Sequence, residues 1–153
     1  LSLSYIDSHT MSTENLDIIP AGYTRSTRKS PFSDMTGPYY EILENGKHKA
    51  LGLRIRHDHL NRLGMAHGGT IMTIADNALG DSIVAHYDEP VSVVTVSLTN
   101  EFMQPVYEGD WVEARVEIHR AGKNMIFASC TLTVEQEKVF TSLATFSIVK
   151  RGA

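Results

Sequence analysis

Gly69–Tyr87 reads GTIMTIADNALGDSIVAHY, and this stretch decides the fold class. Ile71, Ile74, Ala75, Ala78, Leu79 and the run Ile83 to Ala85 recur at spacings of three and four, with no proline among them. That periodicity predicts a helix of about five turns at 3.6 residues per turn. Small residues recur along it (Ala75, Ala78, Gly80, Ser82) and it has no Lys or Arg, so the helix is expected to lie deeply buried against a sheet. Gly80 costs a helix interior up to about 1 kcal/mol against alanine, and a close helix-to-sheet approach is the expected compensation.

The sequence on either side of this helix reads as strand. Tyr39–Leu43 runs into Asn45-Gly46, a two-residue hairpin signal. His48–His57 then sets Leu51, Leu53 and Ile55 against Arg54 and Arg56, the alternation of a half-buried strand. Beyond the helix, Ser92–Met103 is rich in Val and Thr, and Asp110–Arg120 alternates Val112, Ala114, Val116 and Ile118 with Glu113, Arg115, Glu117 and His119. Turns at Ala121–Asn124 and Glu135–Lys138 flank Met125–Val134 and lead into Val139–Val149. The expected architecture is α+β, one long central helix wrapped by a curved antiparallel sheet of five to six strands. Residues 37–151 form the folded domain. Residues 1–36, rich in Ser, Thr and charge, read as a flexible lead outside the core with a short helix near Asn15–Ile19. Met11 opens a candidate native start, which makes residues 1–10 an expression leader or upstream read-through.

Composition narrows the function. The 153 residues suffice for one core, 42% are hydrophobic and 21% charged, and the net charge is −4. An acidic chain argues against a nucleic-acid surface, and no apolar run approaches the roughly 20 residues that span a bilayer. The single cysteine, Cys130, excludes an internal disulfide and makes a reducing cytoplasm the default compartment.

Polar residues and glycines crowd the helix entry, in Asn61–Asp76, NRLGMAHGGTIMTIAD. Gly64, Gly68 and Gly69 permit tight turns and close approach of a ligand, and His67 sits at the helix start. The first turn of a helix offers unpaired N–H groups and the positive end of the dipole, as an oxyanion in acyl transfer requires. A plain strand-to-helix turn would use the same two glycines. Asp76, among Ile74, Ala75, Ala78 and Leu79, is a candidate general base or nucleophile, with a capping or salt-bridging role on a solvated edge as the other reading. Asp81 is its rival, about 140° around the helix and so on another face. His67 and Asp76 lie on the order of 13 Å apart along a helix, so if both act, the site falls between subunits of a two-fold dimer.

The pattern Asn61-x-x-Gly64-x-x-His67-Gly68-Gly69, followed by Asp76, resembles the signature of hot-dog-fold acyl-CoA thioesterases of the phenylacetate-pathway type, within the 4-hydroxybenzoyl-CoA thioesterase superfamily. The stretch SLTNEFMQPVYEGD (residues 97–110) resembles the family's strand ending in a proline and a glycine-acid turn, and the likeness covers about Tyr39–Arg151. The resemblance implies hydrolysis of an acyl-CoA to free acid and coenzyme A. Gly68 would donate its N–H to the thioester oxygen, and Asp76 of the partner subunit would act as base or nucleophile. Asn61 would position water or substrate, and His67 would hold the loop. Thr95 would orient the attacking water, with Ser97 in reserve. Gly69, Met65, Met72, Leu79 and Phe102 are the expected substrate contacts, and Arg62 and Arg120, with Arg54, Arg56 and Lys123, are candidates for the CoA phosphates. No metal or organic cofactor is implied, and the expected assembly is a homodimer, paired into a tetramer.

Other chemistries fit less well. No G-x-S-x-G elbow and no phosphate-loop or dinucleotide fingerprint occurs. Cys130 reads as a buried strand thiol, His57-x-His59 as a strand-end pair rather than a metal site, His86 as a helix-end residue and His119 as a solvent-facing one. Two alternatives remain. A hot-dog hydratase or dehydratase would carry its histidine ahead of a Phe-Pro-Gly run, which is missing here. A non-catalytic acyl-CoA-binding protein would lack the helix carboxylate.

Overall fold

The computed structural model describes residues 18–149, with the short helix expected near Asn15–Ile19 falling largely outside that range. The elements are β1 (Thr24–Arg25), α1 (Pro31–Thr36), β2 (Tyr40–Glu44), β3 (Lys47–Arg54), a 3-10 turn (His57–His59), α2 (Gly68–His86), β4 (Ser92–Phe102), β5 (Trp111–Ala121), β6 (Met125–Val134) and β7 (Glu137–Val149). The strands form one sheet in the order β1-β2-β3-β5-β6-β7-β4. Every pairing is antiparallel. The expected strands are β2 to β7; the two-residue β1 adds an edge.

The long helix α2 forms within one residue of its expected bounds, and Ile71, Ile74, Ala75, Ala78, Leu79 and Ile83 all turn toward the sheet. They meet the inward residues of the strands, chief among them Leu51, Leu53, Val112, Ile126, Leu132 and Phe140, all essentially inaccessible to water. Each such side chain contributes about 1.5–3 kcal/mol by its burial. The outer face of β5 carries Glu113, Arg115, Glu117 and His119, as its alternation requires.

The helix is buried against the sheet as expected, but not on every side. Met72 is 36% exposed and Asp76 half-buried, so one flank of the helix opens outward. Nor does Gly80 serve a close approach to the sheet, because an added Cβ there would meet nothing within 4 Å. The close approach occurs at Gly52 in β3, where a Cβ would lie 2.1 Å from the Trp111 ring and 2.9 Å from the Tyr23 ring. That contact also corrects the half-buried reading of β3. Tyr23 packs edge-on to Trp111, Arg54 lies over the same indole, and Ala50 to Leu53 are buried on both faces. Residues 18–36 therefore do not stand wholly outside the core: β1 pairs with β2, Tyr23 donates a hydrogen bond to Glu113 at 2.5 Å, and Ser26 is 7% exposed.

Two local irregularities matter for the site. The hairpins at Asn45-Gly46 and Glu135-Gln136 place both turn residues at positive φ, the geometry that suits the strand twist. In β4 the register with β7 shifts between Thr95 and Ser97, a bulge at Val96. Thr95 consequently faces α2, whereas Ser97 faces the outside with Phe127 and Leu143.

Candidate active site

The site begins at the residue before α2. His67 has extended backbone (φ −62°, ψ 139°) and acts as N-cap, its Nδ1 accepting from the Gly69 N–H at 2.9 Å. Glycine at 69 makes this possible, since a Cβ there would sit 3.0 Å from that nitrogen. With Gly69 engaged, the Gly68 N–H is a nearby donor without a partner among the described residues. It opens onto a cleft of about 350 Å³ lined by Met65, Gly68, Ile71, Phe102, Pro105 and Val139.

Asn61 organises the loop that leads to this point. Its Oδ1 accepts from the Leu63 and Met65 N–H groups at 2.8 and 3.2 Å, and its own N–H donates to Met65 at 2.7 Å. Its carboxamide oxygen is thus committed to the loop. Gly64, at φ 78°, supplies the positive φ the turn needs.

Asp76 lies two turns along α2, about 12 Å beyond Gly68. Thr95 Oγ1 donates to its Oδ1 at 2.6 Å, a short charge-assisted bond that fixes the carboxylate and leaves Oδ2 without a partner among the described residues. The structure brings Thr95 to Asp76 and Phe102 to Gly68, and keeps the two pairs apart. Asp81 is held elsewhere, 2.8 Å from Arg28 and 3.9 Å from His48, which also faces Glu41 at 3.3 Å. Burial pushes the Asp81 carboxyl up to about 6, opposed by the Arg28 charge.

The other expected contacts separate in space. Met65 and Phe102 line the cleft; Met72 sits on the open flank of α2 and Leu79 in the core. Arg62 is exposed on the loop. Arg120 and Lys123 adjoin the β5–β6 turn, which Tyr87 touches through Gly122, at the far end of α2 from Gly68. Arg54 donates to the Gly109 and Ile18 carbonyls and Arg56 to the Gly37 carbonyl, so both are occupied.

His59, read from the sequence as half of a strand-end pair, has a different place and a different role. It belongs to the 3-10 turn, not to a strand end, and is 4% exposed. Its Nδ1 accepts from the Arg56 N–H at 3.0 Å and its Nε2 faces the Thr36 carbonyl at 2.9 Å. Both contacts are met by the neutral ring with its proton on Nε2, and burial depresses the pKa in favour of that form. The His59 carbonyl in turn accepts from the His67 N–H at 2.8 Å and the Thr70 hydroxyl at 3.1 Å. A buried imidazole therefore fixes the carbonyl that seats the N-cap of α2. A lone H-x-H on a polar stretch carries no signal for such a role.

Among the described residues no cluster of His, Cys, Asp or Glu is arranged to hold a metal, and no helix is long and apolar enough to cross a membrane. Cys130 is fully buried, and its thiol is pushed up to about 12 by that burial.

A profile of the thioesterase superfamily matches residues 63–141, from the loop before Gly68 to the first half of β7. The chain belongs to the thioesterase superfamily. A Pseudomonas aeruginosa protein named "Putative esterase PA0474" is 32% identical over 130 residues, covering 85% of this chain and 97% of that one. The Escherichia coli PaaI protein of the phenylacetic acid degradation operon shares the fold at TM-score 0.70 and 17% identity, over 79% of this chain and 86% of its own. The BH2602 protein of Bacillus halodurans, solved with CoA, is 25% identical at TM-score 0.62, over 67% and 68% of the two chains. The helix in its curved sheet is thus the hot-dog fold, and the chain is a thioester hydrolase. This thioesterase presents a free N–H at the start of α2 and a tethered carboxylate two turns on.

Proposed function

We propose that this thioesterase hydrolyses acyl-CoA as a homodimer with two composite sites. In each site the Gly68 N–H of one subunit holds the thioester oxygen, and Asp76 of the other activates water. The observation that carries the proposal is the Thr95–Asp76 hydrogen bond on the outward flank of α2. It fixes a carboxylate about 12 Å along the helix from its own Gly68, outside the lining of its own chain's cleft. The CoA bound to the Bacillus halodurans relative supports the substrate class.

In the reaction proposed, Asp76 Oδ2 takes a proton from water as the oxygen attacks the thioester carbon. The negative charge passes to the carbonyl oxygen at the Gly68 N–H. Collapse breaks the C–S bond, the CoA sulfur takes up the proton, and the acid leaves. Water is the only co-reactant, with no metal or organic cofactor. The apolar cleft by Met65 and Phe102 takes the acyl group. Two dimers pair into a tetramer, and the single buried thiol suits a cytoplasmic enzyme.

The test is release of free thiol from a panel of aromatic, medium-chain and long-chain acyl-CoAs. At least one is hydrolysed by wild type, and Asp76→Asn loses most of that rate while melting as wild type does. No hydrolysis across the panel, or full activity in Asp76→Asn, would overturn the proposal.

A further inference from the structure

CoA ends in a diphosphate and a 3′-phosphate, yet the chain has a net charge of −4. Binding such a polyanion needs a local basic patch. The segment Arg25-Ser-Thr-Arg28-Lys29 provides three cations in five residues with no acid among them. It borders a recess of about 260 Å³ on the flank of α2, lined by Ser26, Arg28, Lys29, Ser33, Asn77 and Asp81. A smaller adjoining recess shares Ser26, Arg28, Lys29 and Ser33 and adds Arg25 and Asp34. Asp81 is paired with Arg28 at 2.8 Å. Among the described residues, the side chains of Arg25 and Lys29 make no hydrogen bond or ion pair that would compete with a ligand, and both residues are exposed.

The other cations fit less well. Arg54 and Arg56 are bound to carbonyls, Lys49 to Glu44 and Arg115 to Glu113. Arg120 and Lys123 lie beside the C-terminal end of α2, where the helix dipole disfavours an anion. Arg62 is a single cation in an exposed loop. The recess has hydroxyls as well as charge, and Asn77 and Asp81 stand about 14 and 20 Å along α2 from Gly68. An extended pantetheine arm spans that separation.

We propose that this recess, with Arg25 and Lys29 at its rim, binds the phosphates of the CoA substrate; the inference rests on the acyl-CoA reading above. It makes the N-terminal segment part of the substrate site.

The experiment compares the wild type with the double variant Arg25→Gln, Lys29→Gln on two substrates with the same acyl group. One is the acyl-CoA and the other its N-acetylcysteamine thioester, which lacks the phosphates. The double variant raises KM for acyl-CoA on the order of tenfold with little change in kcat. The short thioester does not follow that loss, and added salt weakens acyl-CoA binding more in wild type than in the variant. Lys138→Gln, which removes one positive charge at the start of β7, serves as control and alters neither substrate. Adenosine 3′,5′-bisphosphate inhibits the wild type competitively and loses that inhibition in the double variant. An unchanged KM for acyl-CoA, or equal losses on both substrates, overturns the inference while leaving the hydrolase reading intact. Failure of the wild type to cleave either thioester would instead sink the hydrolase reading.

Discussion

The Gly68 N–H can be deleted by a single substitution, because proline removes the donor and is well suited to the first position of a helix. The preceding residue must then be extended, and His67 already is, at φ −62° and ψ 139°. Space is also adequate, since a Cβ at position 68 would contact Phe102 Cε1 at 3.5 Å, an ordinary van der Waals distance. Gly68→Pro is therefore expected to keep stability within about 1 kcal/mol of wild type. Loss of one oxyanion donor costs about 2.7–4 kcal/mol of transition-state stabilisation, or roughly 100- to 1,000-fold in kcat. The neighbouring Gly69 N–H cannot substitute because His67 Nδ1 already holds it. The assay is thiol release from the best acyl-CoA; Cys130, buried with its thiol pushed up to about 12, adds no background while the protein is folded. Gly68→Ala, which keeps the N–H, is expected to stay within a few-fold of wild type. Mixing Gly68→Pro with Asp76→Asn adds a test of the shared site. Random pairing makes half of the dimers mixed, and each mixed dimer holds one intact site of two, so about a quarter of wild-type activity returns. Substantial activity in folded Gly68→Pro would refute the oxyanion assignment, and no recovery on mixing would refute the composite site.

Further outcomes follow from the contacts around this pair. Thr95→Val frees the Asp76 carboxylate and is expected to lower kcat about tenfold with KM nearly unchanged, while Thr95→Ser retains most activity; steady-state kinetics that show no difference between Val and Ser would count against the tether. His59→Leu leaves the Arg56 N–H and Thr36 carbonyl unpaired and is expected to cost about 2–4 kcal/mol in denaturant melts, with His59→Gln recovering part of it; equal losses in both would show that the polar contacts contribute nothing. Asp81 has a folded-state value of about 6, above its unfolded one, so the unfolded chain ionises first as pH rises and stability falls between about pH 4 and 6. Asp81→Asn removes that penalty and is expected to raise stability by as much as about 2 kcal/mol at pH 7.5, with little gain near pH 4; a variant less stable at pH 7.5 would refute the sign.

The periodicity of Ile71, Ile74, Ala75, Ala78 and Leu79 made α2 legible, because one face of a helix must be apolar wherever it meets a sheet. The alternation in β5 and the Asn45-Gly46 signal were legible for the same local reason. Contacts between residues distant in sequence were not. Nothing near Gly52 indicates that Trp111 and Tyr23 will cover it, and nothing near residue 59 indicates that a histidine will bridge Thr36 and Arg56. Gly80 misled because a helix glycine signals either a close neighbour or open space, and the sequence alone does not separate the two. For the site, the residue types were legible but their contacts were not: nothing near Thr95 or Asp76 indicates that they will hydrogen-bond, nor near Asn61 that its Oδ1 will accept from its own loop.

The bulge at Val96 has a consequence for how one strand serves two half-sites. Thr95 meets Asp76 and Phe102 meets Gly68, yet these positions are seven apart, an odd number. In an uninterrupted strand an odd separation sends two side chains to opposite faces. The extra residue resets the parity, so both point inward from a single edge strand. Pairing Val96 in regular register would restore strict alternation across all seven positions, and the strand could then keep the hydroxyl facing the carboxylate or the aromatic ring facing the cleft, but not both.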